Sequence, residues 1–355
     1  MRKISQTILG IILFLSLLTA CTPAATPTPE PTGETPSTNE TSVEPSAPLV
    51  LYSGRSESLV APVIQLFSET SGVEVEVRYG NTAEIAATLL EEGENTPADV
   101  FWAQDPGGLG AIAVAGMFAP LPQELVEKVP AAFRSPENLW VGISGRARVV
   151  VYNTDALTPD ALPADIWDFT DPKWAGKIGW APTNGSFQVM VTGMRQVWGE
   201  EKTRQWLEGI LANNPVAYEN NTAVVAAVGA GEVEIGFVNH YYLYRFLQEE
   251  GEAFAARNYF LPGQGPGSLV MVAGAGILKT SDNQENAEKF LQFLLSTVAQ
   301  QYFATQTWEY PLIEGVVTPS GLTPLADLHG IEIDLANLAD LQGTVSLLTE
   351  VGALP

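Results

Sequence analysis

Cysteine and histidine are scarce in this chain of 355 residues, which contains one cysteine and two histidines. A single cysteine, Cys21, cannot form a disulfide within the chain. Zinc sites need several cysteine or histidine ligands, so a zinc protein is not expected. The chain also lacks a Ser/His/Asp order, a phosphate-binding loop and a cysteine nucleophile outside its N-terminal segment, which makes an enzyme the least favoured class.

Basic residues are few as well. There are 17 lysines and arginines against 41 aspartates and glutamates, and the formal net charge is −24. Such a chain is repelled by polyanions, which argues against nucleic acid as a partner. Any anion that the protein binds must be held by a local basic group or by a helix N-terminus.

The longest apolar run lies at the N-terminus and is short for a membrane span. Arg2 and Lys3 precede apolar residues 8–18, an arrangement typical of an export signal. The following Leu-Thr-Ala-Cys resembles the lipobox of bacterial lipoproteins, in which Cys21 becomes the lipidated N-terminus. We therefore predict a signal peptide at 1–20 and a lipid anchor that holds the protein at the extracytoplasmic side of the membrane. An ordinary buried thiol is the alternative.

A tether separates this signal from the folded part. Residues 22–47 are almost entirely Thr, Pro, Ser, Ala and Glu, without an aromatic residue. Such a segment cannot bury enough apolar surface to fold, so we predict that 21–47 are disordered. The remaining chain, roughly 308 residues from Pro48, exceeds the size at which a single core usually divides, so two lobes are expected.

The folded part has an α/β pattern. Apolar and alternating runs predict strands at 49–54, 73–80 and 98–104, and helical periodicity predicts helices at 57–72 and 82–96. This βαβαβ order predicts a mainly parallel sheet.

A similar pattern recurs from 177 to 239, and apolar runs at 145–154 and 268–279 are long enough to cross between lobes. We predict a hinged cleft between lobe 1 (48–148 plus about 270–315) and lobe 2 (149–269 plus about 316–355).

Ligands of α/β sheets bind beyond the carboxyl ends of strands. Four segments follow predicted strands and are therefore candidates for the cleft: 53–56, 104–108, 183–186 and the stretch that begins at His240.

The last of these segments has the most distinctive composition. Residues 238–246 read VNHYYLYRF, in which Asn239 is predicted to cap a helix and Tyr241 and Tyr242, the tyrosine pair, occupy its first turn. A phenol titrates near 10, but a hard cation reverses the preference for the protonated form. Fe(III) is the physiological cation that best matches phenolate oxygen, whereas calcium or magnesium would need clustered carboxylates. Packing, with the rings forming an aromatic platform, is the alternative role.

Seven stretches carry a resemblance to a known family: LYSGRSE (51–57), GENTPADVFWAQD (93–105), GISGRARVVVYNT (142–154), KIGWAPTNGSF (177–187), YENNTAVVAAVGAGEVEIGFVNHYY (218–242), GAGILKTSDN (274–283) and EYPL (309–312). From about Leu49 to Val317 the chain resembles the ferric-ion-binding substrate-binding proteins of bacterial ABC importers. The resemblance implies the two-lobed type II periplasmic-binding-protein fold and implies that the tyrosine pair ligates Fe(III).

Other ligands of that family do not carry over. Ser56 stands where the family has a histidine, Gln104 where it has a carboxylate, and Asn184 near the place of a third tyrosine. Two ligands are too few for a closed six-coordinate site. The family commonly completes the site with a synergistic carbonate or phosphate, so such an anion is expected here.

Several residues are candidates to contact that anion or the metal: Arg55, Ser56, Gln104, Asn184, Gly185, Ser186 and Asn221. Arg55 is a candidate for pairing with the anion, with an ordinary surface arginine as the alternative. Residues 184–186 form either a backbone anion site or a plain helix cap, and Asn221 is predicted to cap another helix. Gln104 has three open roles, as a weak iron ligand, an anion contact or a loop-positioning residue. His240 and Asn239 are expected behind the ligands, although a capping role for His240 is equally compatible.

The leading hypothesis is a monomeric, lipid-anchored receptor that captures Fe(III) and delivers it to an ABC permease. A receptor for an oxyanion or a small organic ligand is the second hypothesis, because the family's histidine and carboxylate ligands are absent. An enzyme is the third.

Overall fold

The computed structural model describes residues 47–263, 265–328, 333 and 335–354, apart from the side chains of Ala336 and Asn337. The predicted signal peptide, Cys21 and the predicted tether up to residue 46 lie outside the described residues. None of the helices that are described is both long and apolar enough to cross a bilayer.

Strands and helices alternate through the described part of the chain, so the predicted α/β class is confirmed. The strands are β1 (Leu49–Ser53), β2 (Val75–Tyr79), β3 (Val100–Ala103), β4 (Val141–Asn153), β5 (Ile178–Trp180), β6 (Val216–Ala217), β7 (Ile235–Asn239), β8 (Ala256–Tyr259), β9 (Val270–Ile277) and β10 (Tyr310–Pro311). The helices are α1 (Glu57–Ser71), α2 (Thr82–Glu92), α3 (Pro106–Val114), α4 (Gln123–Val126), α5 (Gly185–Trp198), α6 (Glu200–Ala212), α7 (Asn221–Gly229), α8 (Tyr241–Glu250), α9 (Gln284–Leu294), α10 (Thr297–Tyr302) and α11 (Leu341–Glu350).

The strands form a mixed sheet with the order β2-β1-β3-β9-β4-β7-β5-β6, and β8 and β10 also pair with β4. Strand β1 is parallel to β2 and β3, and β5 is parallel to β6 and β7. Strand β9 is antiparallel to both β3 and β4. Since β1 and β3 are adjacent and parallel, the loops that follow them lie at the same edge of the sheet.

Strand β4 is common to both halves of the sheet. It pairs with β9 through residues 141–147 and with β7 through residues 148–152. The predicted crossing run at 145–154 therefore lies almost wholly within β4, which begins earlier, at Val141.

Separate hydrophobic clusters fill the two halves. One surrounds Phe101, Trp102 and Trp140, and another surrounds Trp206 and Phe237. All five side chains are at most 1% exposed. Burial of apolar surface on this scale is the main source of stability for each half. The residue ranges of the two lobes remain predictions.

Candidate functional site

The tyrosine pair opens helix α8, one residue after strand β7 ends, as the sequence predicted. The two rings are stacked, with centroids 4.3 Å apart and planes inclined by 28°. Tyr241 is 1% exposed, and its hydroxyl has no hydrogen-bond partner among the described residues. Burial raises the pKa of Tyr242, and Tyr241 raises it further, while the charges of Arg146 and Arg245 oppose the shift. The Tyr242 phenol therefore keeps its proton at neutral pH unless a cation replaces it.

The prediction that Asn239 caps α8 is wrong. Asn239 ends β7 directly opposite Arg148 in the β4–β7 ladder, and its Oδ1 accepts a hydrogen bond from Arg148 Nη1 at 3.0 Å. Its side-chain oxygen is thus already used by a guanidinium and is not available to the first turn of the helix. The N-cap position belongs to His240, whose side chain makes no capping bond.

His240 is fixed by the backbone on both sides of its ring. The Ala147 N–H donates to Nδ1 at 3.1 Å, and Nε2 lies 2.7 Å from the carbonyl oxygen of Trp308. Because Nδ1 accepts a bond, the neutral ring must carry its proton on Nε2 and donate it to that carbonyl. Burial lowers the pKa of His240 to about 4. His240 therefore supports the start of α8, and neither of its nitrogens is available to a metal.

Arg148 is a site residue that the sequence analysis missed. It is 1% exposed, and besides Asn239 its Nη1 approaches Ser186 Oγ at 3.4 Å and Asn221 Oδ1 at 3.5 Å. Burial lowers the pKa of Arg148 to about 9, although the charges of the tyrosine pair oppose this. The guanidinium thus stays protonated at neutral pH. It draws together the starts of α5 and α7 and the end of β7.

Arg55 is fully buried, so the surface-arginine alternative is wrong. Its Nη2 donates to Glu309 Oε2 at 2.7 Å, and its Nη1 donates to Gln104 Oε1 at 2.9 Å. The hydroxyls of Ser144 and Thr307 also donate to Glu309 Oε2, each at 3.1 Å. Burial would raise the pKa of Glu309, but the nearby guanidinium groups and these hydrogen bonds outweigh it, so the pKa is lowered. Arg55 and Glu309 form a charged, hydrogen-bonded pair inside the protein.

Gln104 is held on two sides. Its side-chain oxygen accepts from Arg55, and its backbone N–H donates to Thr82 Oγ1 at 2.9 Å.

Burial lowers the pKa of Arg55, but the charges of Glu309 and the tyrosine pair outweigh this effect, so the pKa is raised. Arg55, in the loop that follows β1, therefore lies close enough to interact electrostatically with the tyrosine pair as well as with Glu309.

Arg146, also missed from the sequence, lies two positions before Arg148 on β4, so both side chains project from the same face of the strand. It is fully buried, and none of its three guanidinium nitrogens has a hydrogen-bond partner among the described residues. Its Nε lies 3.9 Å from Glu309 Oε1, which is itself without a hydrogen-bond partner in the described part of the chain. Buried polar groups are normally satisfied, so these donors indicate a partner other than protein side chains.

Residues 184–186 lie at the start of α5, and the bonds that cap the helix run between Asn184 and Ser186. Asn184 Oδ1 accepts from the Ser186 N–H at 3.1 Å and from Ser186 Oγ at 2.6 Å. Asn221 Nδ2 also donates to Asn184 Oδ1, at 2.9 Å. Of the two alternatives for this segment, the helix cap is therefore formed. Gly185 is the exception to this crowding, since a Cβ placed on it would meet no atom within 4 Å.

The remaining candidate contacts are Asn221 and Ser56. The prediction that Asn221 caps α7 is wrong, because Asn220 Oδ1 accepts from the Ala223 N–H at 3.0 Å and Asn221 is the first, buried residue of the helix. Ser56 is exposed at the start of α1 and makes no capping bond. Among the residues that are described, no three His, Cys, Asp or Glu side chains are grouped as a metal site.

Comparisons with known proteins agree with this architecture. Residues 63–326 match the family model of bacterial extracellular solute-binding proteins. The major ferric iron-binding protein of Neisseria meningitidis serogroup B is 31% identical over 312 residues, which cover 86% of this chain and 93% of that protein.

Two solved structures are similar over nearly their whole length. Iron-bound HitA from Pseudomonas aeruginosa gives a TM-score of 0.81 at 33% identity, covering 86% of this chain and 99% of HitA. Trichodesmium FutA in complex with iron and citrate gives 0.77 at 31% identity, covering 86% and 99%. These likenesses confirm the predicted two-lobed type II periplasmic-binding-protein fold and the resemblance to ferric-ion-binding proteins.

Proposed function

Because this chain belongs to the family of bacterial extracellular solute-binding proteins, we propose that it captures ferric iron outside the cytoplasm and delivers it to an ABC permease. The relatives named above are described as ferric iron-binding or iron-bound proteins, and each covers most of this chain. A role in solute binding rather than catalysis follows from the family.

The stacked tyrosine pair is the observation that carries this proposal. A buried phenol without a hydrogen-bond partner is unfavourable unless another group uses its oxygen. Ferric iron is a hard cation that favours phenolate oxygen, and its charge supplies the driving force to remove the phenolic protons. Tyr241 and Tyr242 are therefore the proposed iron ligands.

An oxyanion such as carbonate or phosphate is proposed to complete the coordination. The replacements for the family's other ligands are poor ones, since Ser56 is exposed and the oxygen of Gln104 already accepts from Arg55. Arg55 and Arg148 both interact electrostatically with the tyrosine pair, and Arg148 also contacts Ser186 and Asn221 at the starts of α5 and α7. The iron and citrate in the Trichodesmium protein are a precedent for an accompanying anion.

Delivery to a permease requires that the conformation of the protein differ between its iron-bound and iron-free states. Two lobes joined through β4, the strand that both halves of the sheet share, would be suited to a hinge. Iron would favour the closed form by making contacts that the open form lacks. The predicted lipid on Cys21 would keep a monomeric receptor near its permease.

Iron titration of the purified protein tests the proposal. Ferric iron supplied with bicarbonate or phosphate should produce a visible phenolate-to-iron charge-transfer band, with one iron bound per chain. A colourless protein with unchanged tyrosine absorbance would exclude the iron function. The second candidate, a receptor for an oxyanion or small organic ligand, is favoured by the unpaired donors of Arg146, and a thermal-shift panel of such ligands would then identify it.

A further inference from the structure

We propose that Trp308 is a positioning residue that holds the first turn of α8, and with it the tyrosine pair, in the orientation in which both phenol oxygens can reach one metal ion. The consequence for iron rests on the proposed function. The hold on α8 is a property of the iron-free protein and is measured without iron.

Trp308 has a backbone conformation that a tryptophan rarely adopts. Helix α10 continues into a π-helical turn, Phe303–Thr307, and Trp308 follows in the left-handed region with φ 58° and ψ 23°. Every other described residue with a positive φ is a glycine or one of two asparagines, Asn138 and Asn214, which tolerate this region. Such strain persists only where the surrounding structure fixes the residue, and it is concentrated at functional sites.

The contacts of Trp308 reach both ends of the first turn of α8. Its carbonyl oxygen lies 2.7 Å from His240 Nε2, which donates to it. Its indole stacks on the ring of Tyr244, with centroids 4.3 Å apart and planes inclined by 6°. His240 and Tyr244 are four positions apart, so they lie on the same face of the helix. Trp308 therefore contacts the residues on either side of the tyrosine pair.

The two residues after Trp308 extend this connection. The ring of Tyr310 stacks on His240, with centroids 4.6 Å apart and planes inclined by 27°. Between them, Glu309 accepts the hydrogen bond from Arg55 Nη2. Three successive residues thus join the start of α8 to the loop that follows β1. A change of the backbone at Trp308 would be transmitted to both.

Three substitutions separate the ring of Trp308 from its backbone. Trp308→Ala removes the stack on Tyr244 and keeps the unfavourable backbone conformation. Trp308→Gly also removes the stack but relaxes the backbone, because glycine adopts positive φ freely. Trp308→Phe keeps a ring for Tyr244, and no hydrogen bond to the described residues is lost, because the indole Nε1 makes none.

Hydrogen exchange of the iron-free protein, followed by mass spectrometry, tests the hold on α8. In Trp308→Ala the amides of α8 should exchange at least about threefold faster than in the wild type, as expected for loss of an aromatic stack. Trp308→Phe should restore the rate to within about twofold. Exchange in α2 should change less than exchange in α8 in each of these variants.

Trp308→Gly tests the backbone contribution. Its α8 amides should exchange as fast as those of Trp308→Ala, while its unfolding temperature should be higher than that of Trp308→Ala. Trp167→Ala is the matched control, because it removes a half-buried tryptophan that packs edge-to-face on Trp198. It should leave exchange in α8 unchanged.

Iron release gives a second readout. With ferric iron bound, transfer to excess EDTA, followed by loss of the charge-transfer band, should be at least about threefold faster in Trp308→Ala than in the wild type. Trp308→Phe should restore the wild-type rate.

Two results would overturn the positioning role. One is an α8 in iron-free Trp308→Ala that exchanges as slowly as in the wild type. The other is an equal acceleration of α2 and α8, which would show a general loss of stability. The iron proposal can fail separately. A protein that stays colourless with ferric iron, but whose α8 exchange depends on Trp308, keeps the positioning role and excludes the iron function.

Discussion

Arg55 and Glu309 are 254 positions apart in the sequence, and their side chains meet at 2.7 Å in the protein interior. Both are fully excluded from solvent. The pair joins the loop after β1 to the segment before β10, and Gln104 is held by the same guanidinium. A buried pair of this kind adds little net stability over an apolar pair. Removal of Arg55, however, takes away the only charged group that is hydrogen-bonded to Glu309 among the described residues and leaves it with the more distant Arg146, 3.9 Å away.

Arg55→Met is therefore expected to destabilise the iron-free protein by about 3–5 kcal/mol. The double variant Arg55→Met, Glu309→Gln should recover only part of this loss. The buried carboxylate that lost Arg55 is removed, but Arg146 then loses the carboxylate that lies 3.9 Å from its Nε. Urea unfolding of the iron-free proteins measures both changes. Arg204→Met removes the exposed pair with Glu350 and should cost less than about 1 kcal/mol. Equal losses in the single and double variants would contradict the buried-charge explanation.

The stability of the protein should decrease in mild acid because of His240. Its pKa is about 4 in the folded protein, against about 6.5 in the unfolded chain. The unfolded state therefore binds more protons between these values, so this contribution is fully present above pH 6.5 and is lost as pH falls towards 4. Between pH 7.5 and pH 5 the loss from this group should be about 2 kcal/mol.

His240→Gln is the comparison for this effect, since every other titrating group is retained. Urea unfolding at pH 7.5 and pH 5 should give a smaller decrease for the variant than for the wild type. If the two proteins lose the same free energy of unfolding over this interval, His240 does not titrate as described.

Gly54→Ala should lower the stability of the protein, because the added methyl group would displace Thr82. A Cβ on Gly54 would lie 2.5 Å from Thr82 Oγ1 and 2.9 Å from its Cα, so Thr82 would have to move. Thr82 also accepts the hydrogen bond from the Gln104 N–H. Overpacking of this kind costs about 1–3 kcal/mol.

Gly185→Ala is the matched control, because a Cβ there meets nothing within 4 Å. Calorimetry should show a lower unfolding temperature for Gly54→Ala and an unchanged or slightly higher one for Gly185→Ala. A Gly54→Ala protein as stable as wild type would mean that the loop rearranges without cost.

The tyrosine pair was predictable because its placement depends on local sequence. The run before it has the pattern of a buried strand, and the apolar spacing after it has the pattern of a helix, so the strand end and helix start follow from neighbouring residues. The caps were predicted one residue out of place for a different reason. Asn239 and Asn221 are both approached by Arg148, 91 and 73 positions away, and local sequence does not show that partner.

The buried arginines left a signal that was available in the sequence. Arg146 and Arg148 are spaced two apart in a run otherwise rich in β-branched residues, a spacing that places both charges on one face of a strand. Charges on a buried face need partners, so this spacing was evidence of a site. The role of Glu309 could not be predicted in this way, because its hydrogen-bonded partner Arg55 lies 254 positions earlier in the sequence.

Visible absorption of four proteins in ferric iron and phosphate tests the central claim most directly. The wild type and Tyr244→Phe should show the charge-transfer band, since the Tyr244 hydroxyl lies on the same helix but donates to the carbonyl oxygen of Gly321 at 2.9 Å. Tyr241→Phe and Tyr242→Phe should each shift and weaken the band, and the double variant should lose it. A double variant that keeps the wild-type band would show that the tyrosine pair does not bind the iron.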